Sequence, residues 1–362
     1  GQFDIDYAKQ VTKLADYSGI AITVSNDYEI NDTAKQKYLT NVLQSYGADA
    51  YKQVTDRDTV ADGDYVKVDY TGYKDGKAFD GGSATDVMLD VTNNSQVGGS
   101  SFIDGFTKPI IGAKVGDKVK GDVTFPEDYG NDDLNGQTVT FEYTVKGIYS
   151  ADPVALADMT DEQVNTVFGK AGVTTNAQLT TQIEKDLKQQ LYSAEVDKIK
   201  SYMIENSTVE IPDEYLQARL NEYIASFTKE NVKDGQTLKK YLKSNYNMTV
   251  DQATEKWKEN LTEQIKTEFI FGLIAEKENI KMDDDAFNSY VDYIVSASNG
   301  QFSKASEVYK YFGSGHKDEG KTYLKNQYLV NKAIDTVTEK ANVTFEDGSA
   351  APDTSSGSAD AE

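Results

Sequence analysis

Cysteine is absent from the 362-residue chain, and histidine occurs once. Without cysteine the protein cannot form disulfide bonds, thiolate nucleophiles or cysteine-based zinc sites. The one histidine, His316, lies in a Gly-Ser-Gly-His segment that offers no partners at the spacing of a metal site or a catalytic triad, so we predict a solvated surface residue. We therefore expect no metal site and no cofactor.

Positive charge is scarce as well. The chain has 37 lysines and arginines against 60 aspartates and glutamates, which gives a net charge of −23. Such a surface repels a phosphate backbone, and the arginines Arg57 and Arg219 are too few to read base edges by bidentate contacts. Nucleic-acid binding is therefore not expected.

Long apolar runs are also missing. No stretch approaches the roughly 20 apolar residues of a membrane-spanning helix, and no signal peptide is recognisable. The chain starts with Gly1 rather than Met, which is typical of a mature or trimmed product whose targeting segment has been removed.

The periodicity of apolar residues divides the chain, whose length alone predicts two or three domains. The predicted segments are a strand and helix leader packing on the body at 1–60, a strand-rich domain at 61–150, a helical domain at 151–346 and a polar tail at 347–362. In the leader, Ile20, Ile22 and Val24 alternate as a strand, and Asp32 can cap a following helix. The tail lacks apolar residues that could support a core and is predicted to be disordered.

The strand-rich domain alternates with a period of two. Val66, Val68 and Tyr70 face one way, and the Asp75-Gly76 pair after them supplies a tight turn. The same alternation recurs later at Val119, Val123 and Phe125, and at Val139, Phe141, Tyr143 and Val145. This pattern predicts a small twisted antiparallel sheet.

After Tyr149 the apolar period changes to that of a helix. Three capping boxes are predicted, which pair Thr160 with Gln163, Thr175 with Gln178, and Thr249 with Gln252. Apolar stripes follow, among them Leu179, Ile183, Leu187, Leu191 and Ala194, and a later helix that contains Trp257. We interpret these stripes as core. A strand-rich domain followed by a helical one predicts an α+β chain.

Five blocks of residues occur in a fixed order in the strand-rich domain. They are VDYTG at 68–72, AFDGG at 78–82, GSSFIDGF at 99–106, VTFPEDYG at 123–130 and LNGQTVTFEYTV at 134–145. In sequence and spacing these blocks resemble the FKBP-type peptidyl-prolyl cis/trans isomerase domain, in the version that trigger factors carry. The segment ENSTVEIPDEYLQARL at 205–220 is similar to the start of the trigger-factor C-terminal region, where helical arms line a cradle for unfolded chains.

The resemblance implies an FKBP-like twisted sheet with a short helix, next to a large helical chaperone domain. It implies that the protein isomerises X-Pro bonds and assists the folding of unfolded or exported polypeptides. The residues implied in catalysis are Tyr70, Phe79, Asp80, Ile103, Phe106, Tyr129 and Phe141, and those implied in substrate binding are Val87 and Phe102.

The resemblance implies a specific role for four of these residues. Phe106 forms the floor under the proline ring, Asp80 polarises the surroundings of the substrate carbonyl, and the Ile103 N–H and the Tyr129 hydroxyl each donate a hydrogen bond to a peptide carbonyl. The reaction needs neither a nucleophile nor a metal, because only rotation about an amide with a barrier of about 18–20 kcal/mol is required. An apolar pocket that withholds hydrogen bonds from the planar amide favours that rotation.

The sequence also departs from the family pattern. Phe106 stands where the ligand-binding FKBPs have Trp, and Val87 replaces an aromatic wall residue. Thr92 to Gly98 resembles an insertion, and Pro109 falls within the expected short helix. We therefore expect weak macrolide binding and slow catalysis.

Simpler interpretations exist for several of these residues. Tyr70, Phe79 and Phe141 at alternate strand positions would be core residues in any sheet of this kind, and Asp80 before two glycines fits a turn. Two alternative functions stay open as well. One is a holdase chaperone whose FKBP domain binds without catalysis, and the other is a surface scaffold with a fixed partner.

The expected partners are unfolded or proline-containing polypeptides. The chain has no match to the Gly-Phe-Arg-x-Gly-Lys-type basic loop with which trigger factors dock on the ribosome, so ribosome binding is not expected. This missing loop, the start at Gly1 and the lack of cysteine favour an extracytoplasmic location, secreted or lipid-anchored at a bacterial cell surface. The alternative is a cytoplasmic protein.

Overall fold

A computed structural model of the protein describes residues 2–354. Its helices in chain order are α1 (Tyr7–Gln10), α2 (Asp32–Leu43), α3 (Asp161–Phe168), α4 (Asn176–Asn206), α5 (Asp213–Asn231), α6 (Leu238–Tyr246), α7 (Val250–Lys277), α8 (Asp284–Ser296), α9 (Ala305–Phe312) and α10 (Lys317–Glu339). Its strands are β1 (Val11–Lys13), β2 (Ala21–Val24), β3 (Tyr65–Lys74), β4 (Lys77–Asp90), β5 (Ser95–Gln96), β6 (Lys118–Thr124), β7 (Thr138–Tyr149), β8 (Thr208–Val209) and β9 (Asn342–Phe345). The predicted α+β class is confirmed.

The chain divides into two compact units, and their limits differ from the predicted segments. One unit is Ile30–Leu187, and the other combines residues 2–29 with residues 188–354. Beside the sheet, α2, α3 and the first turns of α4 share a separate core that contains Leu39, Phe168 and Ile183. Periodicity identifies the type of an element but not the core that the element joins. The second half of the leader and residues 151–187 therefore group with the sheet.

The sheet has the strand order β5-β4-β3-β7-β6, and all its pairings are antiparallel. Across the β3-β7 pair, Val66 lies opposite Ile148 and Val68 opposite Val145, and all four side chains are buried. The β3-β4 hairpin turns at Asp75-Gly76, whose φ angles of 52° and 78° fit the left-handed turn that such pairs favour. The predicted alternation thus provides one apolar face of the sheet.

A single 3₁₀ turn, Lys108–Ile110, stands where the resemblance implies a short helix. Pro109 is at its start, where the missing N–H and the fixed φ of proline are tolerated. Ile110 at its end is fully buried in the core of the sheet. The residues between β5 and β6 are therefore anchored at this turn.

The predicted capping residues begin helices in both units. Thr160 and Thr249 form complete capping boxes, whereas the Gln178 side chain accepts from Thr174 rather than from Thr175. Within residues 2–354, none of the helices combines the length and the apolar character that a membrane span requires.

Residues near the two ends of the chain pair with each other. Strand β2 of the leader pairs in parallel with β9, from Ala21 opposite Asn342 to Val24 opposite Phe345. The prediction of disorder from residue 347 onward is wrong for residues 347–354, because the chain folds back along β9. The Ala351 N–H donates to the Val343 carbonyl at 3.0 Å. Residues 355–362 of the predicted tail lie outside the described residues.

Backbone hydrogen bonds explain why the tail is ordered without apolar side chains. A turn brings the Phe345 N–H to the Ser349 carbonyl at 2.8 Å. At the last described residue, the buried Thr354 hydroxyl donates to Glu195 at 2.7 Å. Composition does not indicate the contact of Thr354, because it joins residues that are 159 positions apart.

Candidate functional site

Eight aromatic rings pack together on the sheet unit, and six of them carry predicted site roles. Phe106, in the loop before β6, is the centre of this aromatic cluster and is only 2% exposed. Its ring centroid lies 5.0 Å from Tyr70, 4.8 Å from Phe141 and 5.3 Å from Tyr143, in each case edge to face. The other members of the cluster are Phe79, Phe102, Phe125 and Tyr129. Edge-to-face packing is the arrangement that aromatic quadrupoles favour.

Phe102 covers one face of the predicted floor. Its ring is stacked on Phe106 with centroids 4.3 Å apart and an interplanar angle of 25°. Phe102 itself is half-buried.

Two glycines make room for Phe79. A Cβ atom on Gly72 would lie 2.6 Å from ring atoms of Phe79 and 2.7 Å from the Phe141 ring, and one on Gly82 would lie 2.6 Å from the other side of Phe79. These distances are too short for any side chain. Both glycines belong to the family-like blocks, and a glycine inside a strand is itself a signal of close approach that the sequence analysis did not use.

Tyr129 is the exposed member of the aromatic cluster. It is 46% exposed, and its ring lies 4.6 Å from Phe125. Its hydroxyl forms no hydrogen bond with any residue of the described chain, so it can donate to a ligand. Burial raises the pKa of Tyr70, and the nearby Tyr129 phenol raises it further. The Tyr70 hydroxyl therefore stays protonated at neutral pH.

Val87 and Asp80 both lie on β4, in different surroundings. Val87 is half-buried and packs against the core of the sheet. Asp80 is exposed, is followed by Gly81 at a φ of 77°, and has no hydrogen bond or ion pair within residues 2–354. This geometry is compatible with both interpretations of Asp80, as a turn residue and as a site residue.

The loop that carries Ile103 and Phe106 is held by residues that the sequence analysis did not single out. The Tyr143 hydroxyl donates to the Phe106 carbonyl, and the buried Thr107 hydroxyl donates to the Val91 carbonyl at 3.0 Å. The Asn94 side chain, in the segment predicted to be an insertion, bonds to the same loop. The N–H of Ile103 has no acceptor in the described chain.

Comparisons with known proteins match both units. The model of the family described as FKBP-type peptidyl-prolyl cis-trans isomerase matches residues 57–146, which include the whole aromatic cluster. The model described as the bacterial trigger factor protein C-terminus matches residues 174–339. The trigger factor of Agathobacter rectalis is 28% identical over 330 residues, which are 90% of this chain and 69% of the relative. The chain is a trigger-factor-like protein with an FKBP-type domain.

A further relative and a solved structure are also similar to this chain. The trigger factor of Clostridium botulinum strain Eklund 17B is 29% identical over 276 residues, or 76% of this chain and 62% of that protein. A solved trigger factor chaperone structure has a TM-score of 0.46 and 19% identity, and the match covers 90% of this chain and 72% of the other. The trigger-factor-like chain thus spans about two thirds of the length of the relatives that it matches.

These matches bear on the earlier predictions. The resemblance stated on the five blocks and on residues 205–220 is confirmed by the two family matches. Both families support a function in assisted protein folding, with isomerase and chaperone parts. The extracytoplasmic location finds no support in the two relatives named above, which are trigger factors of bacteria and fit the cytoplasmic alternative.

Proposed function

We propose that this trigger-factor-like protein catalyses cis/trans isomerisation of X-Pro bonds at the aromatic cluster, and that its helical unit holds the unfolded polypeptide. The observation that carries this proposal is an apolar cluster of rings beside two unpaired hydrogen-bond donors, the Tyr129 hydroxyl and the Ile103 N–H. A site for a twisted prolyl amide requires apolar rings and, beside them, donors for the neighbouring peptide carbonyls. An ordinary packed core leaves no such donors unpaired.

In the proposed reaction the proline ring displaces Phe102 from its stacked position and lies between aromatic walls. The remaining members of the proposed site line the walls, and they are Tyr70, Phe79, Val87, Phe106 and Phe141. Burial there removes water from the prolyl amide and weakens the resonance that keeps it planar. The Tyr129 hydroxyl and the Ile103 N–H hold neighbouring carbonyls of the polypeptide, and Asp80 faces the carbonyl that rotates. The reaction forms and breaks no covalent bond.

The helical unit has surfaces suited to an unfolded polypeptide. Tyr223, Tyr246, Tyr293 and Tyr311, on α5, α6, α8 and α9, are between 41% and 65% exposed. Exposed aromatic rings on polar helices bind apolar segments of a polypeptide without a fixed sequence. A polypeptide held there raises the effective concentration of its prolines at the aromatic cluster, which compensates for a weak catalytic site.

The test is the rate of cis/trans exchange of a short X-Pro peptide, measured by NMR exchange spectroscopy with the full chain. Wild type is expected to accelerate exchange. The Tyr129→Phe, Asp80→Ala double variant is expected to lose about tenfold or more, because a hydrogen bond is worth about 1 kcal/mol net. Tyr28→Phe is the matched control, since Tyr28 is 40% exposed and lies outside this unit. Equal acceleration by wild type and the double variant contradicts the proposed site.

Phe102 covers one face of Phe106, and this favours a second candidate function. In that function the protein is a holdase that binds polypeptides without isomerising them. That function predicts peptide binding at the aromatic cluster with no acceleration of exchange by wild type. A scaffold function predicts instead that the helical unit binds one partner and ignores unrelated unfolded chains. Binding of several unfolded proteins, followed by fluorescence anisotropy, separates these two.

A further inference from the structure

We propose that Asn94 is a positioning residue of the prolyl-peptide site, and that it aims the Ile103 N–H at a carbonyl of the bound polypeptide. The identity of the ligand rests on the proposed function. The positioning itself rests on a set of hydrogen bonds between Asn94 and the loop that carries Ile103.

Asn94 contacts this loop at four points. Its Nδ2 donates to the Phe102 carbonyl at 3.2 Å and to the Ile103 carbonyl at 2.9 Å. Its Oδ1 accepts from the Thr107 N–H at 3.0 Å, and its own carbonyl accepts from the Phe102 N–H at 2.8 Å. One side chain therefore fixes both ends of the segment from Phe102 to Thr107.

The orientation of the Asn94 amide follows from its partners. Two carbonyl oxygens lie on one side and an N–H lies on the other, so a flipped amide would place its oxygen against two acceptors and its NH₂ against a donor. Asn94 also has a φ of 52°, a left-handed conformation that Asn adopts more readily than most residues. Both the side chain and the backbone conformation thus suit asparagine.

The free donor belongs to the peptide group that Asn94 holds. The carbonyl of Phe102 and the N–H of Ile103 form one trans peptide unit, in which the two bonds point in opposite directions. Because Asn94 binds the carbonyl, the N–H is directed away from Asn94. A hydrogen bond to the carbonyl oxygen also polarises the unit and makes its N–H a stronger donor. Asn94 thereby sets both the direction and the strength of the Ile103 donor.

Two substitutions separate positioning from folding. Asn94→Asp keeps an oxygen for the Thr107 N–H and accepts the left-handed backbone, but it removes the donor that holds the Phe102 and Ile103 carbonyls. Asn94→Gly keeps the backbone conformation and removes every side-chain contact. Asn299→Gly is the matched control, because Asn299 has the same φ of 52° and is exposed in the other unit.

The measurement uses the full chain labelled with ¹⁵N-isoleucine and titrated with a blocked Ala-Phe-Pro-Phe tetrapeptide. In wild type and in Asn299→Gly, the Ile103 amide proton is expected to shift downfield as the peptide saturates. In both Asn94 variants that shift is expected to fall by more than half and the Kd to rise about tenfold. The buried Ile110 and Ile148 report folding, and their resonances should not change between the free proteins.

Two outcomes overturn the proposal: no shift of the Ile103 amide in wild type, or an equal shift in wild type and in Asn94→Asp. A merely structural Asn94 would move Ile110 and Ile148 together with Ile103. The proposed isomerase activity can fail separately. If the wild-type Ile103 amide shifts as expected but peptide exchange is not accelerated, Asn94 still positions a donor for binding.

Discussion

At the scale of the residue, the contact between Phe102 and Phe106 would control access to the proposed site. The two rings are four positions apart in one loop and are stacked at 4.3 Å. Phe106 has its remaining neighbours edge-on, so the stacked face is the one that a proline ring would use. The resemblance implies that Phe106 is the floor of the site, and the Phe102 ring covers one face of this proposed floor.

Replacing Phe102 by valine should therefore increase activity. The smaller side chain no longer stacks on Phe106, and a ring pair of this kind contributes about 0.5–1.5 kcal/mol beyond its buried area. We expect kcat/KM for an X-Pro peptide to rise about two- to tenfold, measured by NMR exchange. Tyr28→Phe, outside the sheet unit, serves as the control with unchanged activity. A decrease in Phe102→Val would instead show that Phe102 is a wall that binds the substrate.

At the scale of the element, the β3-β4 hairpin has room for the Phe79 ring because Gly72 and Gly82 carry no side chain. Phe79 lies in the space between them, where a Cβ atom on either glycine would approach its ring to 2.6 Å. The Phe79 ring can therefore occupy its place in the aromatic cluster only when both positions are glycine.

Gly72→Ala should destabilise the sheet unit. The added methyl group forces Phe79 and the buried Phe141 out of their positions, and overpacking of this kind costs about 1–3 kcal/mol of unfolding free energy. Chemical denaturation followed by tyrosine fluorescence measures the loss. The Gly72→Ala, Phe79→Leu double variant should recover part of it, because the nearest ring atoms are gone. An unchanged unfolding free energy in Gly72→Ala would show that the Phe79 ring moves aside without cost.

At the scale of the whole molecule, each unit needs contacts between residues distant in sequence. In the helical unit, Arg219 of α5 bonds to Glu268 of α7 through two nitrogens at 2.8 Å and 3.2 Å, and both residues are buried. Gln327 of α10 also donates to Glu268, at 2.6 Å. Burial lowers the pKa of Arg219, but the Glu268 carboxylate outweighs burial and the net shift is upward. This network joins three helices.

Glu268→Gln should destabilise the helical unit strongly. The variant leaves the Arg219 charge buried without a countercharge, which costs about 3–5 kcal/mol of unfolding free energy. Replacing both residues, as Arg219→Met, Glu268→Leu, should restore most of that stability because no buried charge remains. The stabilities of wild type and both variants are compared by thermal unfolding at the same pH. If the single variant is as stable as wild type, water reaches Arg219 and the pair is not a buried one.

Much of this architecture could be predicted because it is encoded locally. Alternation at Val66 and Val68 indicated a strand with one buried face, and the threonines at 160 and 249 indicated helix starts. The five blocks indicated which residues form the aromatic cluster. Each of these signals lies within a few neighbouring positions, where strand pleat, helix turn and capping geometry are set.

The sequence by itself determined the α+β class, the FKBP-type blocks and the aromatic composition of the site. Only the tertiary structure decided which segments share a core, that residues 347–354 fold back on β9, that Phe102 lies on Phe106, and that Asn94 holds the loop of Ile103. The physical reason is the distance along the chain between the residues that interact. Periodicity and caps act between residues that are neighbours in the chain, whereas ring stacking, a polarised peptide unit and a buried hydroxyl depend on where distant residues meet in space.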